Sequence, residues 1–314
     1  MVSDYHQWCK EHTGYLYKKI QNLNDDNLVT SPGNIWSLKK LLFLDYYIGG
    51  FVKIIKSPKS KFSKLFFVDT HCGTGLIKFK GGLEGEYFPG SPLVAALRAD
   101  QYSFTDYLLS DSDENSIKAL SERLKTNKIL FGNRDYNPQI MDFNDAVNNA
   151  IQKYEWGTAF LFFIDSIGYK EIKWTSMKKI LDIKTADIIF TFMTYTIERN
   201  RIIADTNEKT ASGFDEFFGS SEWRNYTSGQ ELLELYRRKL ESTGKSTDVI
   251  EVFKKGENKL YDIIFVSRSS GGSNIANFVS DVLKYIDTEM IHGIFEIISH
   301  KTIPITDFMK PIKS

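Results

Sequence analysis

The residues best suited to chemistry sit at the ends of short apolar runs. Lys64-Leu65-Phe66-Phe67-Val68-Asp69 leads directly into Thr70-His71-Cys72-Gly73-Thr74-Gly75. Two glycines permit a tight turn and let backbone N–H groups approach a ligand closely. Asp69 offers a carboxylate to a positively charged amino group. Three more acids follow runs of the same kind: Asp111 after Tyr107-Leu108-Leu109-Ser110, Asp135 beyond Lys128-Ile129-Leu130-Phe131, and Asp165 after Ala159–Ile164. The glycine pattern is Gly-x-Gly, and Lys78 stands where a dinucleotide fingerprint places its third glycine. The acid precedes the glycines and there is no Walker lysine, so a dinucleotide or nucleoside-triphosphate loop is disfavoured. Cys72 stands where a helix N-terminus can lower a thiol pKa, yet small residues suit such a turn and packing is the preferred role. His71 reads as a loop donor rather than a base. The two cysteines, Cys9 and Cys72, are far apart and lack metal-ligand spacing, so neither a disulfide framework nor a metal site is expected.

The elements that must position these residues alternate. Strands are expected at Lys64–Asp69, Tyr107–Asp111, Lys128–Phe131, Ala159–Asp165, Ala186–Met193 and Tyr261–Val266. They are short continuous apolar runs, the pattern of buried parallel strands. Helices are expected at Asn115–Lys125, Asn144–Tyr154 and Trp174–Asp182. Such alternation predicts an α/β fold with a doubly wound, mostly parallel, Rossmann-like sheet. Gly90-Ser91-Pro92-Leu93 opens another helix, with Pro92 in its first turn, and Asp113 is expected to cap the helix after it. The boundaries expected are an N-terminal helical extension over 1–60, the Rossmann-like domain over 61–285 with a helical insertion at about 200–250, and a C-terminal extension over 286–314. In the N-terminal helix, Gly49-Gly50 is expected to weaken or kink the apolar pattern running from Leu38 to Ile55.

In open α/β sheets ligands bind beyond the carboxyl ends of the strands, where the loop and the acids stand. Asp-x-x-Cys-Gly-x-Gly after an apolar strand resembles motif I of S-adenosylmethionine-dependent methyltransferases. That resemblance implies S-adenosylmethionine as cofactor, held by Asp69, Cys72, Gly73, Gly75 and Ser91. Asp111 is placed to bind both ribose hydroxyls, although it lies 42 residues after Asp69, about twice the usual spacing. Asp135 is placed to accept the adenine amino hydrogen, with Asn137 and Asp142 behind it. Asp165-Ser166-Ile167-Gly168-Tyr169 stands where amino-methyltransferases carry Asp/Asn-Pro-Pro-Tyr/Phe. It keeps the acid, lacks both prolines and has its aromatic displaced by one. Asp165 and Tyr169 are therefore the expected catalytic pair, facing the methyl acceptor.

Read together, the motifs resemble the three-Cys-motif partner protein family, TcmP, over about residues 35–280. Trp36-Ser37-Leu38-Lys39-Lys40-Leu41 looks like its helix opening, and Gly90-Ser91-Pro92-Leu93 its Gly-Ser-Pro-Leu stretch. Phe67–Gly75 is similar to its Asp-x-Phe-Ala-Gly-x-Gly loop, and Phe163–Tyr169 to its Asp-Pro-Phe-Gly segment. The departures, His71-Cys72 for Phe-Ala and Ser166 for Pro, fall at the pocket. The resemblance implies a methyltransferase-like fold and a partner carrying a three-cysteine motif of the radical S-adenosylmethionine kind. Two functions follow as expectations: a methyltransferase acting on nucleic acid, or a non-catalytic or weakly catalytic module working in complex with that partner. A nicotinamide oxidoreductase is weaker, for want of the third glycine.

Bulk properties set outer limits. In 314 residues, 40 Lys plus Arg balance 40 Asp plus Glu, so no global electrostatic footprint for nucleic acid exists. Met1–Lys19 is polar and mixed in charge, unlike a signal peptide, and no apolar run reaches membrane-spanning length. A cytoplasmic protein without membrane association is expected. The aromatic share, 14%, is high and suits core packing before base stacking.

Overall fold

The central strands show no polar alternation because helices cover both faces of the sheet. In the computed structural model, residues 2–268 are described except 24–25, 58–59, 81–84, 99–102 and 255–258, and so is residue 293. The sheet is built from β2 (Lys64–Asp69), β5 (Asp106–Asp111), β6 (Gln139–Ile140), β7 (Thr158–Ile164), β8 (Ala186–Phe192), β9 (Lys245–Phe253) and β10 (Lys259–Arg268). Every residue of β7 and β8 is buried. Successive side chains point to opposite faces and feed two cores. Phe67, Leu161, Phe163 and Ile263 join one; Phe66, Phe160, Phe162 and Phe190 join the other. The first core is closed by α2 (Trp36–Ile55) and α3 (Ser91–Leu97). The second is closed by α6 (Phe143–Gln152), α7 (Trp174–Asp182), α9 (Glu208–Phe218) and α10 (Gly229–Glu241).

The strand order is β6-β5-β2-β7-β8-β10-β9. All neighbours run parallel except β10, which is antiparallel to both β8 and β9. This is the doubly wound Rossmann-like sheet expected from the alternation. The chain winds outward from β2 through β5 to β6, then crosses back to β7. The switch point therefore lies between β2 and β7, and a ligand crevice belongs at their carboxyl ends. A second, three-stranded sheet of β1 (Ser31–Gly33), β3 (Leu76–Phe79) and β4 (Tyr87–Pro89) flanks that end. The N-terminal helix α1 (Val2–Lys19) packs beside α2, α3 and β4. A buried carboxylate, Asp45 of α2, ties it in, facing His12 at 2.6 Å and the Arg98 guanidinium.

Four elements differ from the sequence-based expectation. Lys128–Phe131 is a turn of helix, α5, and not the third strand. Phe131 is buried but Ile129 is fully exposed, so the run has no second apolar face to place inside a sheet. The third strand is the two-residue β6 at Gln139–Ile140. The stretch 200–250 is helical only as far as Glu241, through α8 (Thr194–Ala204), α9 and α10. From Lys245 it forms β9, which among the described residues pairs with β10 alone and whose half-exposed Ser246-Thr247-Asp248 hid it. Gly49-Gly50 does not break α2. Ile48, Phe51 and Val52 are buried around the pair, and packing outweighs the roughly 1 kcal/mol that each helical glycine costs. The C-terminal extension, 286–314, lies outside the described residues apart from 293. Among the described residues, no helix is long and apolar enough to cross a membrane.

The aromatic richness goes into the second core. Tyr236 stacks on Phe217 at 4.7 Å, and its hydroxyl is buried without a hydrogen-bond partner. Phe217→Ala should lower unfolding free energy by about 3–5 kcal/mol in denaturant melts. Tyr236→Phe should leave it unchanged or raise it, because an unsatisfied hydroxyl is removed with the ring retained.

Candidate functional site

The loop after β2 is held by its neighbours rather than by a ligand. Asp69 pairs in register with Leu109 of β5, so Asp111 projects beyond the strand ends to the level of the loop. One Asp111 oxygen accepts from the Gly73 N–H at 2.9 Å, and the other accepts from the Asp113 N–H at 2.9 Å. The Cys72 N–H donates to the Ser110 carbonyl at 2.9 Å, and the Gly90 N–H to the Gly75 carbonyl at 2.7 Å. Gly75 has φ +80°, and a Cβ there would lie 2.6 Å from a Leu120 methyl. Its glycine is thus demanded by packing against α4 (Glu114–Thr126). Asp113 caps α4 by accepting from the Ser116 N–H.

A buried guanidinium joins the N-terminal segment to this loop. Arg123 of α4 is 0% exposed. It meets Asp26 through Nε and Nη2, at 2.6 and 3.0 Å, and donates to the carbonyls of Val29 at 2.9 Å and Thr74 at 2.7 Å. The Ser31 N–H donates to the Thr74 hydroxyl at 2.9 Å. Residues Val29–Pro32 consequently form one wall of a cavity of about 720 Å³. The opposite walls come from Lys40 and Leu41 of α2, from His71–Gly75, from Asp111–Asp113, and from Asp165, Ile167 and Glu171.

The cavity brings together Cys72, Gly73, Gly75, Ser91, Asp111 and Asp165. Asp69 lies behind the wall, 0% exposed. One of its oxygens accepts from the His71 N–H at 3.2 Å, and the Ser91 side chain also acts on the carboxylate. Asp135 is elsewhere. It is exposed and borders a separate cavity of about 380 Å³ on the α6 side of β2 and β5, with Asn137. Because Lys128–Phe131 is helical, Asp135 does not end a strand; the acid that follows β6 is Asp142, which caps α6. Tyr169 is also outside the cavity. It is buried in the second core, edge-on to Phe214 at 4.6 Å and Phe217 at 5.8 Å. The displacement of its aromatic by one position leaves it facing α9.

Three contributions were not foreseen. Lys40 reaches from α2 to form an ion pair with Asp165. Glu171 comes within 3.4 Å of Nε2 of His71, whose Nδ1 is held by the Thr70 hydroxyl at 2.9 Å. The strap Val29–Pro32 closes the side. Neither helix phase nor loop composition signals any of the three, since each depends on which elements cross above the strand ends.

Burial dominates the local electrostatics. It pushes the Asp69 carboxyl up to about 7, against the opposing influence of the Ser91 side chain and the His71 amide. Burial, reinforced by Asp69 and Asp111, raises the Cys72 thiol well above its ordinary value, so it stays protonated and unreactive. His71 holds Glu171 below the usual carboxylate range. Four acids line the cavity, Asp111, Asp113, Asp165 and Glu171, against Lys40 and His71. The lining favours cationic and hydrogen-bond-donating ligands over phosphates.

No family model matches the sequence, so the TcmP resemblance stands on its motifs alone, and no curated protein matches either. Among solved structures, the chain is similar to Trm1 from Pyrococcus horikoshii in complex with S-adenosyl-L-methionine. The TM-score is 0.37 and the identity 11%, over 75% of this chain and 57% of that one. It therefore spans a little over half the length of that protein. It is similar also to the magnesium protoporphyrin IX methyltransferase ChlM from Synechocystis PCC 6803 with bound SAH. There the TM-score is 0.35 and the identity 13%, over 80% of this chain and 94% of that one. At such scores neither likeness bears on ligand or reaction.

Two outcomes follow. Arg123→Met leaves Asp26 and the carbonyls of Leu28, Val29 and Thr74 without their donor and should cost about 3–5 kcal/mol in chemical denaturation. For Asp69, the folded chain keeps a proton up to about pH 7, whereas the unfolded chain releases it near pH 4. Its contribution to stability is full below about pH 4 and is lost as pH rises to 7. Asp69→Asn should therefore gain on the wild type in Tm from pH 4 to pH 7; a constant difference would show the carboxyl ionised throughout.

Proposed function

We propose that the cavity binds S-adenosylmethionine and that the chain is a methyltransferase. The observation that carries this reading is the Asp111 carboxylate seated on the Gly73 N–H. In a phosphate-binding loop such amides are free and face the anion. Here a carboxylate occupies one and adds its own charge, which repels a pyrophosphate and disfavours the dinucleotide alternative. The same carboxylate retains lone pairs on both oxygens for the two hydroxyls of a ribose.

The residues present suit an adenosyl sulfonium. Asp69 lies behind the loop, so it acts on a ligand only through the His71 amide and the Ser91 side chain, of which Ser91 lines the cavity. The acid-rich lining stabilises a cation. When bound, S-adenosylmethionine supplies an electrophilic methyl group. The protein binds and orients: Asp111 holds the ribose, Asp69 acts through the loop on the amino-acid end, and Asp165 faces the acceptor. Enclosure between the strap and α2 restricts water and fixes the approach, which is where most of the acceleration of such a displacement arises. The acid-lined mouth offers a nucleic-acid strand little attraction, and pairing with a three-cysteine-motif protein rests on the resemblance alone.

Titration calorimetry of the full chain with S-adenosylmethionine, S-adenosylhomocysteine and NAD tests this. The adenosyl ligands should bind and NAD should not. Asp111→Ala should weaken adenosyl binding by about tenfold to a hundredfold, the loss of charged hydrogen bonds. Absence of adenosyl binding at millimolar ligand, or tighter binding of NAD, overturns the proposal.

A further inference from the structure

Lys40 is a cation in an otherwise acidic cavity, and it is placed by an element outside the doubly wound core. Helix α2 crosses above the carboxyl end of β7 and delivers the side chain, 9% exposed, onto Asp165. Its ammonium also lies 5.5 Å from the centroid of the buried Tyr261 ring. An ammonium has three donors, and among the described residues only Asp165 accepts from it. The second Asp165 oxygen accepts from nothing among them. One cavity wall therefore presents unused donors beside an unused acceptor, on two charges withdrawn from much of their water.

A ligand that met only one of these groups would leave the other desolvated and unpaired, at a cost that makes such sites discriminating. The matching group is a planar edge on which an N–H donor adjoins an acceptor atom. Beside the pair, Ile167 lines the cavity while 91% exposed, an apolar side chain held at the mouth. A flat ring gives it a partner that a plain amide does not. Building on the methyltransferase reading, we propose that Lys40 and Asp165 form the acceptor subsite and that Lys40 determines its specificity. The subsite takes a nitrogen heterocycle by an edge of the kind found on the pairing face of a nucleobase. Asp165 accepts from the N–H, and Lys40 donates to the neighbouring ring nitrogen or oxygen.

The test uses the full chain with and without saturating S-adenosylhomocysteine, titrated with cytidine, N4,N4-dimethylcytidine (no donor) and 3-deazacytidine (no ring acceptor). Cytidine should bind tighter than either analogue by about tenfold or more. Lys40→Met should close the gap between cytidine and 3-deazacytidine but keep the gap to the dimethyl analogue, with S-adenosylhomocysteine affinity changed less than about twofold. A purely structural lysine would move both gaps together or neither. A gap to 3-deazacytidine that persists in Lys40→Met, or no cytidine binding with or without S-adenosylhomocysteine, overturns the inference. Failure of S-adenosylhomocysteine itself to bind strikes the methyltransferase reading instead. A cytidine-containing oligonucleotide separates the two sources of such a ring. Weaker binding than the nucleoside marks a small-molecule acceptor, and tighter binding marks a strand.

Discussion

One hydrogen bond organises the ligand end of the molecule: a strand-terminal carboxylate on the backbone amide of the neighbouring strand's loop. Asp111 reaches Gly73 because β2 and β5 are adjacent, parallel and in a register that lifts Asp111 two residues beyond the partner of Asp69. The bond holds the left-handed Gly73 in place and leaves a negative charge where a phosphate loop would leave a positive one. The charge preference of the cavity depends on that substitution. It also changes the meaning of the glycines. Gly75 is small because Leu120 and Leu93 crowd it, and Gly90 because its amide closes on the Gly75 carbonyl.

The second organising contact is the Arg123 guanidinium. A charge withdrawn from water is tolerable only when its hydrogen bonds are met. Arg123 meets its own with one carboxylate and carbonyls from two separate segments. The result is that the N-terminal segment, distant in sequence, becomes a wall of the cavity. Helix α2 does the same from another side, through Lys40. A cavity that would otherwise be an open crevice at a switch point is enclosed on two sides by the chain preceding β2.

Within that enclosure, burial sorts the titratable groups. The Asp69 carboxyl is pushed up to about 7 because its desolvation outweighs the help of Ser91 and His71. Cys72 is pushed the other way from reactivity by the same burial and by two neighbouring acids. The exposed acids Asp113 and Glu171 are held below the usual carboxylate range by Ser116 and His71. A cationic ligand with amino and hydroxyl donors is the chemistry that suits the acids lining the cavity.

Much of the fold was legible because parallel strands buried on both faces read as uninterrupted apolar runs. Residues 64–69, 159–164 and 186–192 could hardly be anything else. Local rules also sufficed for Asp113 as a cap and for Ser91-Pro92 as a helix start. Where burial is partial, the signal failed: β6 is too short to carry a pattern, β9 is a polar edge, and α5 carries an apolar run with one buried side. The site divided in the same way. Acids next to apolar strands could be named from the chain alone, since strand ends and turns are local events. Their company could not. Asp135 and Tyr169 follow suitable runs yet face other parts of the molecule, while Lys40, Glu171 and the strap enter from elements remote in sequence. Sequence alone determined which residues stand at strand ends, because a run of apolar side chains and a turn are short-range facts. Tertiary structure decided which of them share a cavity and with what charge, because that depends on register and crossing, which no local pattern encodes.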